Sequence, residues 1–452
     1  MVSSTVRGLA GRTLSQPAAY ALAAAVIGLA LFASGTPSPL YVTYRELWGF
    51  SPIVLTLVYA TYAFGVLASL LLAGRASDEV GRRPVLLVAL TSLMGATVLF
   101  MVASSVAWLF AARAIQGLAT GLALASASAA LLDLHPRRDP AAVGLTNGVV
   151  SAAGMGLGVL VSATLVEFAP APRVLPYVVL FALFALALTA ALRMPEPVET
   201  RARPRLTPQR PRVPAVVRRP FLLAALAVTA SWSIGGLFLA LGPQLAAVVL
   251  HSHDHFVTGI GVFALAGSGS LAQLAFGSAE PSRGAAAGSL ALAAGVLLIV
   301  LAAATSSALP YVAGCVIGGV GFGVAFLGAL RTLSGAIPDA HRAEVMSAFY
   351  VIAYASLSLP AVLAGVLVTP LGLETTFELF GSVVAALALV VAREAWRMRP
   401  RPAPEGCSAT PRAGFEPEAS LEGERRRRFA PAWLDAPGRI RTCDLTGRSR
   451  PL

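Results

Sequence analysis

The chain has 452 residues, 56% of them hydrophobic and 12% charged, with a mean hydropathy of +0.75. Soluble domains carry about a quarter charged residues, so half of the usual polar shell is missing and a soluble globule is excluded. The formal net charge of +12 comes entirely from arginine, most of it placed in short loops and near the C-terminus, which argues against a nucleic-acid surface.

At the start, Arg7 and Arg12 precede an apolar stretch that has the look of a signal peptide. Further apolar runs follow at once, so it reads as an uncleaved first helix. Breaks at charges, prolines and Gly/Ser clusters predict spans at 18–44, 51–73, 84–103, 106–134, 141–168 and 174–193. A second set follows at 220–249, 257–277, 285–304, 309–333, 343–368 and 372–393. Each is near the twenty residues that cross a hydrocarbon core of about 30 Å. The expected fold is an all-α membrane protein of two pseudo-symmetric six-helix transmembrane bundles. Residues 1–193 form the first bundle, 194–219 a mobile Arg/Pro-rich linker, 220–397 the second bundle and 398–452 a disordered tail.

Arginine placement gives an orientation. Alternate connections hold Arg75, Arg82, Arg83, Arg137, Arg138, the linker arginines, Arg283, Arg331 and Arg342, whereas the other connections hold Arg45 and Arg173. By the positive-inside rule, the first set and both termini are cytoplasmic.

The halves repeat. Pro136 and Pro338 open equivalent loops 202 residues apart, and at that offset Gly117 matches Gly319 and Gly121 matches Gly323. Parallel six-helix repeats point to two bundles with a binding site between them near the midplane.

Between the second and third spans, "GRASDEVGRRPVLL" gathers five charges and two glycines. Positive-inside topology accounts for its arginines but not for Asp78, because acids contribute little to orientation. Gly74, Asp78, Gly81, Arg82 and Arg83 stand as G-x-x-x-D-x-x-G-R-R. This resembles the loop motif of the major facilitator superfamily, in the expected place, and the resemblance extends over residues 18 to about 397. It implies a bacterial twelve-helix transporter in which Asp78 meets the start of the eleventh span near Ala343 when the cytoplasmic side closes. It also implies that Asp133 pairs with Arg82. The matching turn in the second half keeps Gly277, Glu280 and Arg283, a degenerate copy.

Arg113 lies about 10 Å into the fourth span. Two readings stand: a functional buried cation, since a charge at a helix centre costs about 2.5–3.5 kcal/mol, or an arginine snorkelling to the interface. Arg113, Gln116 and Gly117 resemble the fourth-span motif of the superfamily, linked there to proton coupling or substrate binding. The first span has no acid at mid-depth, so Glu46 or a substrate anion is the candidate partner. The fifth span lacks most of the G-P-x-x-G-G element of family antiporters. For the glycines at 117, 121, 154, 158, 319 and 323, close helix packing is the plain reading.

Pro37 and Pro39 interrupt the first span, a break tolerated where it lines a cavity. Tyr41 and Tyr44 are expected to face that cavity, with Asn147, Trp232, Gln244, Tyr350 and Tyr354; helix packing or interfacial anchoring is the competing reading for each. Such an aromatic, weakly polar pocket favours amphipathic or apolar solutes. "HSHDH" (His251 to His255) is read as a solvated polar turn. No catalytic constellation, metal site or cofactor site is expected. After about residue 412 the chain resembles in-frame translation of a transfer-RNA gene.

The resulting expectation is a monomeric secondary transporter in the bilayer of a bacterial cytoplasmic membrane. It exports a small organic solute by alternating access coupled to protons, without a nucleic-acid partner. Metabolite uptake, or a non-transporting sensor that kept the fold, are the alternatives.

Overall fold

The computed structural model describes residues 13–74, 76–198, 211–338 and 341–398, together with two short strands, Trp433–Asp435 and Arg439–Arg441, which pair antiparallel. Arg7, Arg12, Arg75, the middle of the linker and the rest of the tail, including the stretch resembling read-through, lie outside the described residues. The helices belong to one compact unit ending at Met398.

The first span is split into α1 (Gln16–Gly35) and α2 (Leu40–Trp48). Then come α3 (Pro52–Ala73), the short α4 (Ala76–Val80), α5 (Arg82–Met101), α6 (Val106–Leu134), α7 (Pro140–Phe168) and α8 (Leu175–Ala191). The second group is α9 (Arg218–Val249), α10 (His255–Phe276), α11 (Pro281–Thr305), α12 (Ala308–Ala336), α13 (Arg342–Leu371) and α14 (Leu373–Arg397). Counting α1 with α2, eleven segments among the described residues are long and apolar enough to cross a membrane, and α8 follows at 17 residues. At 1.5 Å per residue α8 still reaches about 26 Å.

Local chemistry sets these limits. Pro52, Pro140 and Pro281 stand in first turns, where a missing N–H costs no helical bond. Asp139, Asp254 and Glu280 cap the following helices, with carboxylates accepting from Ala141, Val257, and Ser282 with Arg283 respectively.

Within the first group α6 packs on α3, α5 and α1, and α7 packs on α1; within the second α12 packs on α11 and α10, and α13 on α9. The groups meet along two seams, α7 against α10 and α3 against α13. The repeated glycines serve the same contact in each half. A Cβ on Gly117 would stand 2.2 Å from the Tyr62 carbonyl oxygen of α3, and one on Gly319 would stand 2.2 Å from that of Leu265 in α10. Such closeness requires glycine.

Helices alternate in direction, so the assembly has an arginine-rich end, holding Arg82, Asp133 and Arg331, and a far end, holding α2 and the start of α10. The linker departs from expectation where it is described. Met194 is fully buried and Glu196 is bonded to the start of α5. The reason is backbone supply: the first N–H groups of a helix need acceptors, and Glu196 provides them.

Candidate functional site

The site begins with carbonyls that prolines release. Pro37 has no N–H to give the carbonyl of Ala33, four residues earlier. Gln116 Nε2 takes that carbonyl at 2.8 Å. Ser38 N–H turns to Gly35, which Pro39 had deprived, and Ser34 is left for another donor. Arg113 Nη1 reaches it at 3.2 Å. Ser162 of α7 donates to the Thr36 carbonyl at 2.6 Å. The break in the first span is thus a socket for α6 and α7.

Arg113 is fully buried and does not snorkel. Its Nε donates to the Tyr41 hydroxyl at 2.8 Å, Nη2 donates to the same oxygen, and Nη1 also donates to Gln116 Oε1 at 2.7 Å. The rings of Tyr41, Tyr62 and Phe100 lie 5.5, 5.3 and 5.8 Å from its central carbon. Each ring face attracts a cation, worth about 0.5–2 kcal/mol. These neutral partners hold the charge, and no carboxylate is among its described contacts. Glu46, the protein partner expected from sequence, is exposed on α2. Five residues past Tyr41, it falls about 140° around the helix.

Tyr62 carries the site to the seam. With Ala63 and Val66 of α3 it packs against Tyr354 of α13, bordered by Tyr350, Trp232 of α9 and Leu124 of α6. Trp232 meets Tyr354 edge-on at 5.2 Å and Phe326 at 5.8 Å. Trp232, Tyr350 and Tyr354 are therefore brought together at the seam, packed against one another.

Three other residues sit elsewhere. Tyr44 lies inside the first bundle, stacked on Trp48 and 3.4 Å from the Tyr177 hydroxyl. Gln244 is at the far end, accepting from Arg45 at 3.5 Å. Asn147 donates to Ser128 at 2.7 Å within the first bundle. Its neighbour Val149 accepts from Ser270 across the α7–α10 seam at 3.0 Å.

At the arginine-rich end, Arg82 gathers the loop. Nε donates to Asp133 at 2.9 Å, and Nη1 donates to Ser77 at 2.9 Å and to Asp78. Gly74 closes α3. Gly81 has φ +115°, and a Cβ there would stand 2.6 Å from Glu196 Oε2. That carboxylate accepts from the N–H groups of Arg82 (2.9 Å) and Arg83 (3.0 Å). Asp78 is more than half exposed, and the side chain of Ala343, its expected neighbour, lies outside the described residues. In the second half the polarity is reversed: Arg331 of α12 donates to the carbonyls of Gly277 and Ala279. Burial pushes the Glu280 carboxyl up, but hydrogen bonds from Ser282 and Arg283, with the Arg283 charge, hold it below its ordinary range.

Residues 22–359 match the family model of the Major Facilitator Superfamily. The chain belongs to that superfamily. As a facilitator it is a multi-pass secondary transporter and not an enzyme. Its fold is similar to the crystal structure of the human organic anion transporter MFSD10 (TETRAN), with TM-score 0.62 and 16% identity over 84% of this chain and 100% of that one. No curated protein matches the sequence.

Sequence reasoning missed Tyr62, the ring that links the facilitator's buried cation to its seam. A tyrosine in an apolar run carries no periodic signal of its own; its closeness to Arg113 exists only in space. Glu196 was missed because the linker's composition hid one ordered carboxylate. Its signal was the glycine before Arg82.

Proposed function

We propose that this facilitator moves a small organic anion with an apolar or aromatic body. The observation that carries the reading is Arg113, a fully buried guanidinium held by neutral groups. Paired only with dipoles and ring faces, it favours an anion more than any other solute. In the closed arrangement the Tyr41 hydroxyl takes two of its N–H groups. A solute carboxylate replaces that hydroxyl as the bundles part, while its body rests on Tyr62, Trp232, Tyr350 and Tyr354. MFSD10, of the same architecture, is an organic anion transporter, which supports the class without identifying the solute.

The proposal includes the remaining expectations. Arginine placement supports a cytoplasmic position for the arginine-rich end and both termini, and the family resemblance supports a bacterial cytoplasmic membrane. Gly74, Asp78, Gly81, Arg82, Arg83 and Asp133 form the inner clasp, Asp78 being the member that engages the second bundle. Resemblance supports proton-coupled export by a monomer.

The test is flux in proteoliposomes carrying an internal pH reporter, across a panel of aromatic carboxylates, their uncharged amides and organic cations. Carboxylates moving with protons, at rates lost in Arg113→Met, are expected. Movement of amides or cations at equal rates overturns the anion assignment.

A further inference from the structure

The far-end seam carries a titratable bridge that the transport reading does not use. His255 opens α10 in the second bundle, and its backbone N–H donates to Glu167 Oε2 of α7 at 2.9 Å. Ring Nδ1 lies 3.2 Å from the same oxygen. Ring Nε2 lies 3.4 Å from Thr43 Oγ1 of α2. One side chain thus ties the second bundle to two helices of the first. Beside it Phe168 and Phe256 meet at 6.0 Å, and Gly259 approaches Ala163.

We propose that His255 is a proton-binding site whose occupation holds this end of the transporter shut. Nδ1 donates to the Glu167 carboxylate, so Nε2 determines the protonation state. A hydroxyl both donates and accepts. Thr43 therefore donates to Nε2 in the neutral ring and accepts from it in the imidazolium. Both forms satisfy every group at the bridge, and the added proton changes the charge facing Glu167. A hydrogen-bonded ion pair then spans the seam in place of a contact between a carboxylate and a neutral ring.

The surroundings do not supply a rival. On α2, Arg45 is turned to Gln244 and Glu46 is exposed. In the preceding loop His251 and His253 stand with Asp254, whose carboxylate caps Val257. Beyond α7 is Arg173. The outer halves of α9 and α12 contain no charged residue, and the Tyr311 phenol lies against Gly261. The positive end of the α10 dipole opposes an imidazolium; Asp254 and Glu167 flank it with negative charge. The ring is 27% exposed and Glu167 29%, so protons reach the site from the medium while the seam is closed.

Separation of α10 from α7 and α2 breaks the bridge, so the closed seam binds the proton more tightly. By reciprocity, the proton favours the closed seam by the same factor. The inference rests on the transport reading only for its consequence: acid outside slows opening toward the outside.

The test is a distance measurement in lipid nanodiscs. Spin labels at Leu47→Cys and Leu309→Cys, both exposed and in opposite bundles, go into a chain whose Cys315, Cys407 and Cys443 are replaced by alanine. The open-to-closed ratio at the far end is expected to fall roughly two- to fivefold from pH 8 to pH 5.5, the range a part-exposed ion pair supports. His255→Gln and Glu167→Gln should each flatten this response. An unchanged pH response in His255→Gln, or none in the parent, overturns the proposal. If His255→Gln does not fold, Glu167→Gln decides alone. Flux without pH-dependent distances defeats the His255 bridge but not the transporter; pH-dependent distances without flux do the reverse.

Discussion

Gln116 donates to the carbonyl of Ala33 across 2.8 Å, and Ala33 stands four residues before Pro37. A proline in one helix thus creates the acceptor that a glutamine in another fills. Gln116→Ala strands that carbonyl and one N–H of Arg113 in a buried site, at a cost of about 1–3 kcal/mol for each unsatisfied group. Adding Pro37→Ala returns a backbone donor to Ala33. The double variant should therefore lose less stability than the two single losses together, with a coupling of about 0.5–3 kcal/mol. Thermal unfolding of the four proteins in detergent measures it. Strict additivity shows that the carbonyl and the amide do not depend on each other.

Arg113→Lys keeps a charge but not the fork that reaches Tyr41, Ser34 and Gln116 together. Affinity for an organic anion should drop about tenfold to a hundredfold, the equivalent of one lost charge-assisted bond. Tyr41→Phe removes the competing hydroxyl; it should tighten anion binding while lowering the unfolding temperature of the unliganded protein. Equilibrium binding of an aromatic carboxylate checks both. Equal affinity in all three proteins makes Arg113 a tie between α6 and α1 and nothing more.

Gly81 is held at φ +115° with the Glu196 carboxylate pressed against it. Gly81→Ala meets two costs, a positive-φ extended backbone that only glycine adopts readily, at about 1–3 kcal/mol, and displacement of Glu196. Glu196→Gln meets a smaller one, because an amide oxygen still accepts from Arg82 or Arg83. Trypsin sensitivity of the arginine-rich connection after residue 198 is the readout. Cleavage should quicken markedly in Gly81→Ala and modestly in Glu196→Gln; equal rates in all three place the linker's anchor elsewhere.

Much of this was legible in the sequence, for a definite reason. Charge and proline are scarce in the apolar runs, so where they cluster they mark a boundary, and α6 begins and ends at the predicted residues, 106 and 134. The motif around Asp78 was readable because its five residues are local. The position of Tyr44 was not legible for the opposite reason: where its ring goes depends on the bend between α1 and α2, which turns that face toward Tyr177, 133 residues along the chain. The aromatic seam was half legible. Trp232, Tyr350 and Tyr354 stood out as polar-tipped rings in their spans, whereas Tyr62 gains its meaning from a neighbour in another bundle.

Glu280 offers a pH test. Its carboxyl is held below the ordinary range by the start of α11, so its contribution is full above that range and is lost as pH falls through the lowered value. The stability gap between the parent and Glu280→Gln should be constant from about pH 7 to 5 and narrow below about pH 4. Unfolding temperatures across this series decide it, and a gap that widens on acidification reverses the assignment.

Asp78 and Asp133 share Arg82 but are not equivalent. The Asp133 side chain is 27% exposed and meets Nε at 2.9 Å, whereas Asp78 is 57% exposed. Asp133→Asn weakens the hold on a mostly buried guanidinium and should lower stability by about 1–3 kcal/mol. Asp78→Asn leaves Arg82 with Asp133 and Ser77, so stability should change by less than about 1 kcal/mol. If the inner clasp works through Asp78, flux falls at least tenfold in Asp78→Asn although the fold is untouched. Unfolding temperature and flux measured on the same preparations separate the two roles. Full flux in Asp78→Asn leaves Arg82–Asp133 as a fold-stabilising pair and removes the clasp from the transport cycle.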